Sequence, residues 1–218
     1  MSRDVEVPSE STTTLGFVDG DLIIGRSVTI KGEGDPPKVN VSGTIECNGD
    51  CTFECSVSAK DFEGEHGDVV VQGDLEIEGD VEIRHGCLGV EGTMSAQDVD
   101  VDKSLVVGKD LEAGEVDVGG SLEVKGNTRV ETIDVGGSFR GVGEVKAEEI
   151  DVGGSVAIDS KVEIEEIDVG GTVTLHGGHA GKIDVGGSFE SKDSLEFDSI
   201  DVGGVVRLAG KNEGGNID

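Results

Sequence analysis

Three sets of side chains in this chain are of types that do chemistry, and their spacing limits what that chemistry can be. The first is a recurring aspartate. Asp117, Asp134, Asp151, Asp168, Asp184 and Asp201 each open the tetrapeptide Asp-Val-Gly-Gly, at intervals of 17, 17, 17, 16 and 17 residues. A degenerate copy, Asp100-Val101-Asp102-Lys103-Ser104-Leu105, lies 17 residues before the first. Carboxylates brought into line could form a face for a divalent cation or a mineral. Calcium, however, takes about six to eight oxygens converging on one point, and a single file of carboxylates offers two per gap at most. Calcium-binding nonapeptide repeats have a period of about nine, which does not fit. The pattern therefore reads as a solvated acidic face, with loose cation association as the alternative and no specific metal site expected.

The second set is Cys47, Cys51 and Cys55, spaced four apart, with Cys87 distant. Structural zinc sites favour close cysteine pairs with a second matching pair, and this spacing supplies none. Val41, Ile45, Cys47, Cys51, Phe53, Cys55, Val57 and Ala59 all share one odd parity. Free cysteine packs as a small hydrophobe, so the cysteines are expected in the core, neither metal-bound nor paired in disulfides. The third set is His66, His85, His176 and His179, which fall in or near glycine-containing segments. His176-Gly177-Gly178-His179 could place two imidazoles together, yet no carboxylate or cysteine shares their unit in a ligand-like arrangement. Serines recur after Gly-Gly at Ser121, Ser138, Ser155 and Ser188. A nucleophile needs a positioned base and an oxyanion site, whereas a residue repeated in every unit does a per-unit job. No catalytic residue and no enzymatic activity are expected.

The elements that carry these residues follow from the repeat. Between Glu115 and Val130, Val116 and Val118 alternate with Asp117, Leu122 and Val124 with Ser121 and Glu123, and Thr128 and Val130 flank Arg129. Three period-two segments separated by turn residues are strand patterning. Three strands per 17 residues describe one coil of an all-β, three-faced parallel β-helix, each strand pairing with its equivalents about 4.8 Å above and below. Similar apolar pairs run upstream less regularly, from Leu22/Ile24 and Val28/Ile30 to Leu75/Ile77 and Val81/Ile83. Gly32 to Lys38 and Lys60 to Gly67 read as corner insertions, which cost little. The count is nine to ten coils, a rod on the order of 45 Å long. Residues 1–14 are expected to be a disordered tail, 15–210 a single β-helix domain, and 211–218 a short flexible tail.

With 17 basic and 47 acidic residues, the formal charge is −30. Phosphate contacts need a basic footprint, so no nucleic-acid partner is expected, and binding to anionic lipid is disfavoured. No apolar run is long enough to span a membrane, and Met1-Ser2-Arg3-Asp4-Val5-Glu6 lacks the layout of a signal peptide; a cytoplasmic location is expected. Neighbouring carboxylates about 4.8 Å apart repel by roughly 0.9 kcal/mol at the dielectric of water. At about 1 M salt the screening length falls to roughly 3 Å, which points to a salt-adapted organism, the alternative being a low-salt protein whose carboxylates are neutralised by bound cations.

Gly20 to Gly32 (GDLIIGRSVTIKG), Gly73 to Gly79 (GDLEIEG) and the later Val-Gly-Gly-Ser-Leu segments resemble the bactofilins over roughly residues 16 to 210. With its acid excess, the chain looks like a haloarchaeal relative of the kind called halofilins. The resemblance implies a right-handed β-helix and nucleotide-independent, end-to-end assembly into filaments or patches that scaffold cell shape. It implies a homopolymer, other cytoskeletal or envelope-associated proteins as partners, and a cytoplasmic place or one peripheral at the cell envelope. Two departures stand out. The array is longer than the six or so coils usual in the family, and the membrane-targeting apolar stretch of many members is missing, which leaves membrane contact without support. The residues lead separately to a rod with two adhesive ends and no cofactor motif. Phe17, Leu22 and Ile24 open the array, and Ile200, Val202, Val206 and Leu208 close it, as the polymer-interface candidates. Against this stand a monomeric acidic surface or cation-binding rod and an acyltransferase-like left-handed β-helix. The first should be secreted; the second should show hexapeptides and a catalytic histidine.

Overall fold

The computed structural model describes residues 3–218. Residues 1 and 2, the start of the expected tail, lie outside the described residues. Every described element is a β-strand. Parallel strands recurring at about 17 residues wind into a β-solenoid of about 13 turns in all. The chain divides into two compact units, Met1–Ala113 and Gly114–Asp218, where one domain over 15–210 was expected.

In the second unit each turn lays one strand segment on each of three faces. On the first face, Ile133, Ile150, Ile167, Ile183 and Ile200 stack in register, as do Val135, Val152, Val169, Val185 and Val202. On the second, Leu122, Phe139, Val156, Val173 and Phe189 stack, and on the third, Val145, Val162, Gly178 and Leu195. The apolar members of these columns are buried, and they form the core. Alternation sends every second side chain inward, and β-branched residues suit the pleated, packed surface.

The Gly-Gly corner is required by close approach. A Cβ on Gly153 would lie 2.5 Å from the Gly136 carbonyl oxygen, and one on Gly154 2.3 Å from that of Gly137. The same contact recurs at Gly170, Gly171, Gly186, Gly187, Gly203 and Gly204, so corners stack only without side chains. The single 16-residue interval has a local cause. The corner after Leu175 holds His176 and Gly177 where the previous turn has Asp159, Ser160 and Lys161, and Gly178 takes the register of Val162. The shorter path is made with φ of +82° at Gly177 and +120° at Gly178, conformations that glycine adopts freely.

The first unit has longer and less even turns, and its corners are held differently. Carboxylates cap backbone N–H groups of the next turn: Asp21 accepts from Thr44 at 2.9 Å, Asp68 from Cys87 at 2.9 Å, and Asp74 from Thr93 at 2.8 Å. Part of the acid excess is therefore structural. Gly32 to Lys38 is a corner insertion, as expected, closed by an antiparallel bridge between Glu33 and Lys38.

Three segments differ from the sequence reading, and together they account for the larger number of turns. Val5–Val7 and Thr12–Leu15 are strands paired with Leu22–Ile24 and with Thr29 to Gly32, so the stretch read as a patternless tail forms a turn. Asp61–Glu65 is a strand between Thr44–Cys47 and Val81–Arg84, not part of an insertion. Its second inward position is Gly64, where a Cβ would meet Ile83 at 2.8 Å; a glycine facing the core erased the alternation. Glu213–Ile217, read as flexible, pairs with the strand Leu195–Val202.

Candidate functional site

The recurring aspartate sits between two inward side chains on the first face and must point outward. In the second unit Asp134, Asp151, Asp168, Asp184 and Asp201 stand in consecutive register, all exposed, forming the carboxylate ladder. Asp117 is exposed on the same outward parity. Within the ladder the Asp168 carboxyl is pushed above its ordinary value, first by partial burial and then by the charges of Asp184 and Asp151, with Lys182 opposing. Lys182 is tied to Glu166 at 2.5 Å. The ladder is thus a line of mutually repelling charges with one neighbouring base.

A second acidic row, which the sequence reading missed, lies on the first face of the first unit. Glu46, Glu63, Glu82 and Asp100 stand in register. The signal was present in the glutamates centred in Ile45/Cys47 and Val81/Ile83, but the misread strand at Asp61–Glu65 broke the series. Arg84 is paired with Glu82 at 2.5 Å and lies 3.6 Å from Glu65.

Chemically, such rows attract cations without chelating them. Adjacent rungs are separated by the strand spacing of about 4.8 Å, and among the described residues no three His, Cys, Asp or Glu side chains converge as metal ligands. The third face of the second unit is mixed in sign: Lys146 pairs with Glu163, and His179 Nδ1 lies 3.9 Å from Glu196.

Cys47, Cys51 and Cys55 are buried free thiols, and Cys87 is half-buried. Burial first, then the adjacent Cys51, raises Cys47 well above the ordinary thiol value. Burial pushes Cys55 up to about 11. Thiolates bind metal, so these environments favour the packing role. Among the histidines, the structure brings together a pair that the sequence reading did not single out. His66 and His85, at left-handed corners with φ of +57° and +60°, stack with ring centroids 5.0 Å apart. Register across turns placed them, and nothing in their 19-residue separation announces it.

The interface candidates divide. Leu22 and Ile24 are core residues, covered by Val5–Val7. Ile200 and Val202 are buried, and the strand Glu213–Ile217 places Ile217 beside Ile200. Phe17 points outward and is 70% exposed, because its neighbour Val18 takes the inward position. Val206 and Leu208 are half-buried on the strand Val205–Leu208, which pairs with Ser188–Ser191. Among the described residues no strand pairs with its other edge. No helix among the described residues is long and apolar enough to cross a membrane. No protein-family model, curated protein or solved structure matches this chain.

Proposed function

We propose that this chain is a structural, polymer-forming scaffold of bactofilin type, assembling end to end without nucleotide into filaments or patches that support cell shape. The observation that carries this reading is the half-open strand Val205–Leu208. Its inward residues Val206 and Leu208 are only half covered, and Val205 and Ile217 are each 48% exposed. An unpaired edge beside uncovered apolar side chains is a template for strand addition. In the first unit a second such edge is that of Thr12–Leu15, paired only with Val28–Gly32 among the described residues. The place of action is the cytoplasm or the inner side of the envelope. The acidic rows suit a salt-rich interior, where their repulsion is screened.

Negative-stain electron microscopy in molar KCl tests the reading. Filaments are expected from the parent protein, with loss in Val206→Lys and Leu15→Lys while circular dichroism still reports a folded β-solenoid. Filaments that persist in both variants would place the contact on a lateral face. A parent protein that stays monomeric at every salt and protein concentration would sink the scaffold reading in favour of a monomeric acidic rod.

A further inference from the structure

In a chain of charge −30, the second face of the second unit is nearly neutral. Its outward side chains form two rows across the strands. One is Ser121, Ser138, Ser155, Thr172, Ser188 and Val205; the other is Glu123, Arg140, Ala157, Thr174, Glu190 and Arg207. The order of the second row has a special property. Reversing it exchanges every acid for a base and leaves the two small residues at the centre.

We propose that this face docks on the same face of a second copy of the chain, with the two solenoid axes antiparallel. The two-fold axis runs along the strand direction, between the strands that carry Ala157 and Thr174. Each row then faces itself reversed. Glu123 meets Arg207 of the second copy, Arg140 meets Glu190, and Ala157 meets Thr174; the symmetry repeats each contact. In the hydroxyl row Ser121 meets Val205, Ser138 meets Ser188, and Ser155 meets Thr172. The corner residues that follow the strands obey the same rule: Asp159 falls opposite His176, Val142 opposite Lys192, and Lys125 opposite Ala209. No like charges are juxtaposed.

The other two-fold arrangement, with parallel axes, reverses the strand direction and keeps each strand opposite its own copy, so the charged row falls on the hydroxyl row: Glu123 meets Ser121 and Arg140 meets Ser138. It forms none of the ion pairs that the antiparallel arrangement forms, and complementary charge is what fixes register across an interface. Self-complementarity under a two-fold is the requirement of an isologous contact. The carboxylate ladder of the second unit lies on the first face, which this docking leaves exposed. Arg140 is already steadied by Asp159 at 2.7 Å, so the incoming Glu190 meets a held guanidinium. Six strands at about 4.8 Å, each offering about four residues at about 3.3 Å, give on the order of 350 Å² per copy. That is under half of the roughly 800 Å² per partner of a standard stable interface. The contact is accordingly weak for two free copies, and gains strength where many copies are arrayed.

Disulfide trapping suits a weak contact. In full-length protein carrying Cys87→Ser, one preparation carries Ser138→Cys and another Ser188→Cys. They are mixed under mild oxidation at the lowest salt that keeps the fold. The mixture is expected to cross-link, and S138C alone to cross-link at least about tenfold less, since its own counterpart lies several strands away across the two-fold. Adding Glu123→Arg to both preparations sets like charges opposite Arg207 and should lower the yield about tenfold. E123R/R207E together should restore it, and that rescue separates a charge contact from a folding defect. Cross-linking of S138C alone as efficiently as the mixture would overturn the antiparallel arrangement. Equal yields from the parent, E123R and E123R/R207E would overturn the charge pairing. The trapping does not depend on end-to-end assembly, because Val206→Lys and Leu15→Lys leave these rows in place.

Discussion

Replacing Asp168 by Asn tests the carboxylate ladder most directly. The substitution keeps size and shape and removes one charge from the middle of a row in which Asp151 and Asp184 are its neighbours. At the inter-strand spacing of about 4.8 Å, each neighbour repels the central charge by roughly 0.9 kcal/mol in water without screening. A screening length of about 8 Å at physiological ionic strength leaves roughly 0.5 kcal/mol per neighbour, or about 1 kcal/mol for the pair. At 1 M salt, with a screening length near 3 Å, the sum falls to about 0.4 kcal/mol. Asp168→Asn should therefore stabilise the protein by about 1 kcal/mol in low salt and by less than half of that at about 1 M. The sign with pH follows from the raised carboxyl of Asp168. A raised folded value means that the native state holds its proton more tightly than the unfolded chain does. The contribution of this group is fully favourable below its ordinary value of 3.8 and is lost as pH rises through the higher folded value. The advantage of D168N should thus be complete at neutral pH and vanish on acidification, as Asp168 itself becomes neutral. Urea unfolding across a KCl series is the assay, because urea adds no ionic strength. An advantage independent of salt, or a destabilisation at every salt, would refute the ladder argument.

The parent protein should show a melting midpoint that rises steeply from 0.1 to about 3 M KCl, since both acidic rows are screened together; a flat profile would mean that bound cations already neutralise them. At pH 8 a thiol reagent should modify Cys87 alone in the native protein, with Cys47, Cys51 and Cys55 reacting only on unfolding, and metal analysis should find zinc well below one per chain. Gly170→Ala should destabilise by about 2 kcal/mol or more, because its Cβ would lie 2.5 Å from the Gly153 carbonyl oxygen. Gly89→Ala, on a strand with nothing within 4 Å of the new atom, should be neutral or stabilising by about 0.5–1 kcal/mol. Equal effects from the two glycines in chemical denaturation would show that corner stacking is not the constraint.

The sequence by itself determined the period, the strand class and the inward parity of the second unit. It did so because alternation is local: Val116, Asp117 and Val118 reveal which side faces the core without reference to any other turn. The same parity placed Cys47, Cys51 and Cys55 inside and the repeated aspartates outside. What only the tertiary structure decided is whatever depends on stacking between turns. Thr12–Leu15 and Glu213–Ile217 are strands because a neighbouring turn offers its backbone N–H and C=O groups, and a backbone ladder leaves no mark in side-chain hydropathy. Asp61–Glu65 was hidden by Gly64, which faces the core only because Ile83 occupies the space a side chain would need. The carboxylate caps of the first unit, the His66–His85 stack and the self-complementary row from Glu123 to Arg207 all join residues separated by whole turns. Corner lengths set those pairings, and a corner's length acquires meaning only when the next turn is laid upon it.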